Sequence, residues 1–249
     1  MDNVSISEFP ETADIETSSQ EYARRFAGPV GEWFLKVQED ATLRMLKPLP
    51  GLTVLDVGGG HGQITAGLVR NGYQVTVLGS APSCSLRIQS FVERGACDFR
   101  VGNILDLPFP DRSFDVVISY RLLPHVVRWQ VLLKEFSRVA KQAVILDYPE
   151  VRSVNYIAPY LFKFKKQLEG NTRPYQCFKE VQIREELRQH HFYVVDRYRE
   201  FFLPMVLHRK LGQPRLSTAA EGLLRRLGLT GIFGSPVILK LMRKTRQNA

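Results

Sequence analysis

The sequence predicts an α/β protein with a mostly parallel sheet flanked by helices. Three observations point there. Short apolar runs recur from residue 53 to residue 148, and helical patterns separate them. A glycine cluster, "LDVGGGHGQ" at 55–63, directly follows the first run. The stretch between the fourth and fifth runs repeats apolar residues at helical spacing, with Trp129, Leu132, Leu133, Phe136, Val139 and Ala140 on one side.

The elements follow in order. Residues 1–20 carry Asp2, Glu8, Glu11, Asp14 and Glu16, no Lys or Arg, and no apolar period, so they are expected to form a flexible acidic tail. A single domain is expected over 21–249, with an N-terminal helical segment at 21–48. Phe34, Val37, Ala41 and Met45 mark one helical face there, and Gly28, Pro29 and Gly31 divide the segment into two helices. The core at 49–150 holds strands predicted at 53–58, 75–79, 98–102, 114–120 and 142–148. In 151–249, Ile157, Tyr160, Leu161, Phe164 and Leu168 mark a helix, and another lies around 178–190. "FYVVDRYREFF" and "SPVILKLMR" read as the last two strands. Between them, Thr218 and Glu221 are expected to form a capping box ahead of Leu223, Leu224 and Leu227.

Composition narrows the class. The chain has 249 residues, 44% of them apolar, the range of an ordinary globular domain. Cys84, Cys97 and Cys177 are far apart, which disfavours a disulfide framework or a zinc site and fits a cytoplasmic setting. No metal is expected. No signal peptide pattern and no apolar stretch of membrane-spanning length are seen. The net charge of +9 is uneven, because residues 151–249 hold 19 Lys and Arg against 7 Asp and Glu. That excess suits a solvated surface, an anionic substrate or a lipid surface; nucleic acid is disfavoured, since no RNA-binding module is visible.

The glycine spacing then discriminates among ligands. A dinucleotide turn would need Gly where Gln63 stands, and a phosphate loop would need a Lys that is absent. What stands is D-x-G-x-G-x-G at 56–62. This pattern, with "VRNGYQVTVLGSAPSCS", "GNILDLPFPDRSFDVVIS" and "LLPHVVRWQVLLKEFSRVAK" following in order, resembles the class I S-adenosylmethionine (SAM) dependent methyltransferases, and in particular the ubiquinone/menaquinone C-methyltransferase-like (methyltransferase type 11) group.

The resemblance implies a Rossmann-like fold of seven strands with the last antiparallel, SAM as cofactor, and methyl transfer to a small-molecule acceptor, isoprenoid, quinone or lipid-like. It implies that Gly58, Gly59, Gly60 and Gly62 leave open backbone for the cofactor and that Asp56 takes its cationic amino end. The family's acid at the end of the second strand aligns with Gly79, leaving Ser80 as a weaker acceptor. Asn103 replaces the acid that reads the adenine amino group, and Ile104 would pack on the adenine face. Tyr120, Arg121 and His125 would face the methyl end, with His125 as candidate base because imidazole titrates near neutrality. Tyr22 would close over the cofactor. Tyr148, Tyr156, Tyr160 and Arg173 would meet the acceptor. The loss of the acid at Gly79 leaves a second reading, a non-catalytic or altered-cofactor protein on this fold, and the charge leaves a third, an RNA methyltransferase. Contact with a membrane from its surface is compatible with the basic second half.

Overall fold

A computed structural model describes residues 9–47, 52–153 and 175–244. Seven strands form one sheet: β1 (Thr53–Val57), β2 (Gln74–Gly79), β3 (Asp98–Val101), β4 (Phe114–Ser119), β5 (Ala140–Tyr148), β6 (Phe192–Phe201) and β7 (Ser235–Arg243). Their order is β3-β2-β1-β4-β5-β7-β6. The first five pair in parallel, and β7 runs antiparallel to both β5 and β6. The sheet reverses direction of build between β1 and β4, and the crevice at the carboxyl edge there is where open α/β sheets bind ligands.

The central strands are apolar on both faces because helices cover both. On one face Leu55, Val57, Val117, Val144 and Leu146 meet Leu132, Leu133 and Phe136 of α6 (Trp129–Val139) and Ile183 and Leu187 of α7 (Glu180–Gln189). On the other, Val54, Val75, Val116, Ile118 and Ile145 meet Ala41 and Met45 of α3 (Gly28–Leu46) and Leu68 of α4 (Thr65–Arg70). Asp115, at the start of β4, is a structural acid: it accepts hydrogen bonds from Thr53 N (3.0 Å) and Thr53 Oγ1 (2.8 Å), locking β4 to β1.

Two expectations fail. Residues 9–20 are not a tail. They include α1 (Ala13–Thr17) and the start of α2 (Gln20–Arg24), and Ala13, Asp14, Thr17 and Ser18 are buried. Asp14 and Thr17 find partners inside, which an apolar period cannot reveal. The capping box at Thr218 also fails. With α5 at Gln89–Glu93, the segment between β6 and β7 holds α8 (Met205–Leu211), α9 (Pro214–Arg226) and α10 (Leu229–Phe233). Pro214 starts α9 a turn earlier, since its fixed φ suits the first helical position. Thr218 Oγ1 therefore donates to Pro214 O within the helix, at 2.8 Å. Glu221 points inward instead and accepts from Phe202 N and Leu203 N (2.9 Å each) and pairs with His208 Nε2 at 3.0 Å. The predicted helix at 157–168 lies outside the described residues.

Candidate active site

The glycine turn is built as its spacing demands. Gly58 (φ +74°) and Gly62 (φ +69°) take left-handed backbone that a side chain would strain. Gly58 N donates to Leu78 O at 2.9 Å, tying the turn to β2. At Gly59 a Cβ would stand 2.0 Å from Asp56 Oδ2, so the turn lies directly on that carboxylate. Asp56 is fully buried, and neither of its oxygens has a hydrogen-bond partner. Burial pushes its pKa up to about 7. A buried carboxylate without a donor lacks the compensation such groups normally have, and a bound cation or amino group would supply it. His61 fills the turn. Its Nδ1 accepts from Gln63 N at 3.2 Å, and burial, with Arg121 adding to the effect, lowers its pKa to about 3. It is a neutral packing residue.

The space in front of the turn is taken by the chain itself. Asp14 Cβ lies 3.4 Å from where a Cβ of Gly58 would be, and Ser18 Oγ lies 2.5 Å from the corresponding point at Gly60. The Asp14 carboxylate accepts from Ser80 N and Ser80 Oγ, both at 2.6 Å. Ser80, expected as an acceptor for the cofactor, thus has both its N–H and its hydroxyl proton committed to Asp14. Ile104 is fully buried in a cluster that includes Ala13. It offers no open face for an adenine ring in this conformation. Asn103 Oδ1 accepts from Leu105 N at 2.9 Å, closing its own turn with one lone pair to spare. The structure also explains Gly79. A Cβ there would meet Cys84 Cβ at 2.5 Å, so no acid fits at the end of β2, and Asp14 brings a carboxylate to that edge from the N-terminus. The turn and Asp56 fit a SAM-like cofactor, and residues 13–18 pack against the same turn.

Beyond β4 and β5 the same edge holds a cavity of about 130 Å³. It brings together Tyr22, Arg121 and His125 with Asp147 and Glu200, which sequence reasoning missed. Phe26, Phe34 and Met205 supply apolar wall. Arg121 has φ +59°, an unusual backbone for a long side chain, and its N–H donates to Asp147 Oδ1 at 2.7 Å. Its guanidinium stacks 3.7 Å from the centre of the Phe26 ring, and Nη1 has no hydrogen-bond partner. Asp147 is 3% exposed, and burial raises its pKa to about 6, with Arg121 opposing. Glu200 is equally buried, and Oε1 makes no hydrogen bond. Burial pushes its carboxyl up to about 8, Asp147 adds to the rise, and Arg121 and the nearby Gln38 amide oppose it.

Two predicted site residues belong to the core instead. The hydroxyl of Tyr120 pairs with Thr42 Oγ1 of α3, and the side chain is fully buried. Tyr148 is fully buried with its hydroxyl on Glu180 Oε2 at 3.4 Å. Large aromatic side chains gain more from such burial than from a half-wet site. Tyr156, Tyr160 and Arg173 lie outside the described residues.

A parallel sheet of this order, an antiparallel seventh strand and a D-x-G-x-G-x-G turn define the class I SAM-dependent methyltransferase fold. Residues 55–146 match the family model for a methyltransferase domain. The chain is 33% identical over 129 residues to a demethylmenaquinone methyltransferase of Tropheryma whipplei, covering 48% of this chain and 51% of that one. It is 33% identical over 169 residues to a ubiquinone/menaquinone biosynthesis C-methyltransferase of Rhizobium meliloti, covering 58% and 64%. The matches span less than two thirds of these relatives' lengths. Among solved structures, the magnesium protoporphyrin IX methyltransferase of Synechocystis with bound SAH superposes with a TM-score of 0.63 at 19% identity, covering 92% of this chain and 96% of that one.

Proposed function

We propose that the protein transfers a methyl group from SAM to a small, largely apolar acceptor that carries a hydroxyl, an isoprenoid-, quinone- or lipid-like compound. The observation that supports this most directly is the cavity beside the glycine turn, where apolar walls enclose polar groups that lack partners. The quinone methyltransferases among the relatives point the same way.

The turn at Gly58–Gly62 and Asp56 would hold the cofactor, which supplies a methyl group already activated on a sulfonium. The chain's own part is to place and deprotonate the acceptor. Phe26 and Phe34 hold its apolar body, and Arg121 Nη1 donates to its oxygen. Asp147, ionised at neutral pH, takes the hydroxyl proton. Glu200 is protonated at that pH and adds a hydrogen-bond donor. His125 lines the same cavity.

Transfer of labelled methyl groups from SAM to a panel of prenylated hydroquinones, simple phenols and long-chain alcohols tests the reading. At least one acceptor is expected to be methylated. Asp147→Asn is expected to lower the rate by roughly 10²–10⁴-fold with the affinity for S-adenosylhomocysteine unchanged. No transfer together with no binding of S-adenosylhomocysteine would refute it. That result would favour the second reading, a protein that keeps the fold without the cofactor, to which residues 13–18 lying across the turn give support.

A further inference from the structure

We infer that residues 205–233 form a face that docks on an anionic lipid surface beside the acceptor cavity. Leu216 and Leu223 on α9 and Leu227 at its C-cap follow one another at i, i+7 and i+11 and so fall on one line; they are 51%, 59% and 65% exposed. The inward side of the same helix is set by buried Ser217 and Glu221, so the leucines face outward by design of the sequence and not through a missing turn. Leu207 and Leu211 on α8 and Ile232 on α10 are exposed as well. Single exposed leucines are ordinary, whereas rows of them on successive helices mark a binding face.

Charge selects the partner. Lys210, Arg215 and Arg226 are exposed on these helices, and the segment's acid, Glu221, is buried and bonded to Phe202, Leu203 and His208. The face therefore offers apolar side chains and cations together, the pattern of a helix lying in a membrane interface with its basic residues at the headgroups. A second copy of the chain would set like charges against each other. No described helix is long and apolar enough to cross a membrane, so contact would be from the surface. Met205, the first residue of α8, lines the acceptor cavity. A lipid-like acceptor could pass from the bilayer to the cavity along this segment, a link that rests on the function proposed above; the docking itself does not.

Co-sedimentation of the full chain with vesicles tests it. Binding to phosphatidylcholine vesicles containing phosphatidylglycerol is expected, at least about tenfold tighter than to phosphatidylcholine alone, and weaker at high salt. Replacing Leu216, Leu223 and Leu227 together with Gln should abolish it. Arg215→Gln and Arg226→Gln should each weaken it about fivefold. No vesicle binding, or equal binding by the triple variant, would overturn the inference. So would a concentration-dependent dimer that the triple variant loses while no vesicle is bound, which would assign the face to a second copy.

A separate observation carries a second inference. We propose that residues 11–20 are a strap that closes the cofactor cleft and must lift before the cofactor binds. The strap is fastened at three points along the sheet edge. Glu11 accepts from Val127 N (3.1 Å) and Arg128 N (3.3 Å) at the start of α6, Asp14 holds Ser80, and Gln20 accepts from Arg87 Nη1 at 3.2 Å. Asp14 Cβ and Ser18 Oγ lie within 3.4 Å of where Cβ atoms on Gly58 and Gly60 would stand, so the strap packs against the open side of the turn. The idea rests on the proposed function, because the cleft is a cofactor cleft only on that reading.

Calorimetric titration with S-adenosylhomocysteine separates the cases. Asp14→Ala in the full chain should tighten binding by about tenfold or more, since a larger fraction of molecules is open. Glu11→Ala, at an exposed anchor remote from the turn, should tighten it about two- to threefold and serves if the first variant does not fold. Equal micromolar binding by all three forms would overturn the strap and leave the function standing. Weaker binding by Asp14→Ala would overturn it by making Asp14 a cofactor ligand. Binding by none would overturn both.

Discussion

The two halves of the sheet's carboxyl edge are opposites. At the β1–β2 end the backbone is shaped for a ligand, yet the chain's own α1 lies on it and Asp14 satisfies Ser80. At the β4–β5 end there is no glycine turn, yet Glu200 Oε1 and Arg121 Nη1 are buried without partners around a cavity. One half has geometry without vacancy; the other has vacancy without a motif. On the function proposed, the motif marks the cofactor's place, and the acceptor's place is assembled from side chains on separate elements.

The comparison can be broken from either side. The largest effect should come from Glu221, which holds the backbone just after Glu200 and pairs with His208. Glu221→Ala removes one member of a buried cluster and should destabilise the protein by about 3–5 kcal/mol. Denaturant unfolding checks the loss, and hydrogen exchange should show it concentrated near β6 and α8 while the glycine turn stays protected. Next comes Gly79→Asp, which restores the family's acid but drives a Cβ against Cys84. It should lower stability by about 1–3 kcal/mol by overpacking. Adding Cys84→Ala should recover part of that, a coupling a double-mutant cycle reads directly.

The smallest effect is a pH dependence. Asp56 (about 7) and Glu200 (about 8) keep protons in the folded state that the unfolded chain has released, so stability falls as pH rises toward those values. His61, lowered to about 3, acts oppositely below its ordinary value of 6.5, where the unfolded chain gains the proton. Between pH 6.5 and 8 the carboxyls act without it, and the protein should lose about 2 kcal/mol. Thermal melts across that window should show a falling Tm in the wild type and a much flatter line in Glu200→Gln.

The strands and the glycine turn were legible because period and glycine spacing report backbone geometry. Seven predicted strands stand within a residue or two of their places, and Gly58 and Gly62 carry the positive φ their spacing implied. The cavity was harder to read. Asp147 sits beside Tyr148 in a strand buried on both faces, where alternation does not say which residue faces the ligand edge. Glu200 lies in a strand of alternating polar residues, where an acid reads as a solvent-facing one. Asp14 and Ser18 sit in an acidic segment without apolar period, so their burial depends on Ser80 and Gly60, which are distant in sequence. Tyr120 looked like an edge residue because nothing in its own strand points to Thr42 on α3.

The most direct measurement is amide hydrogen exchange on the full chain with and without saturating S-adenosylhomocysteine. Opposite changes are expected at the two touching segments: residues 56–63 should become more protected, and residues 13–18 less protected as they leave the turn. Protection of both segments would make α1 a cover over the cofactor and contradict the closed cleft. No change in either would contradict the cofactor site itself.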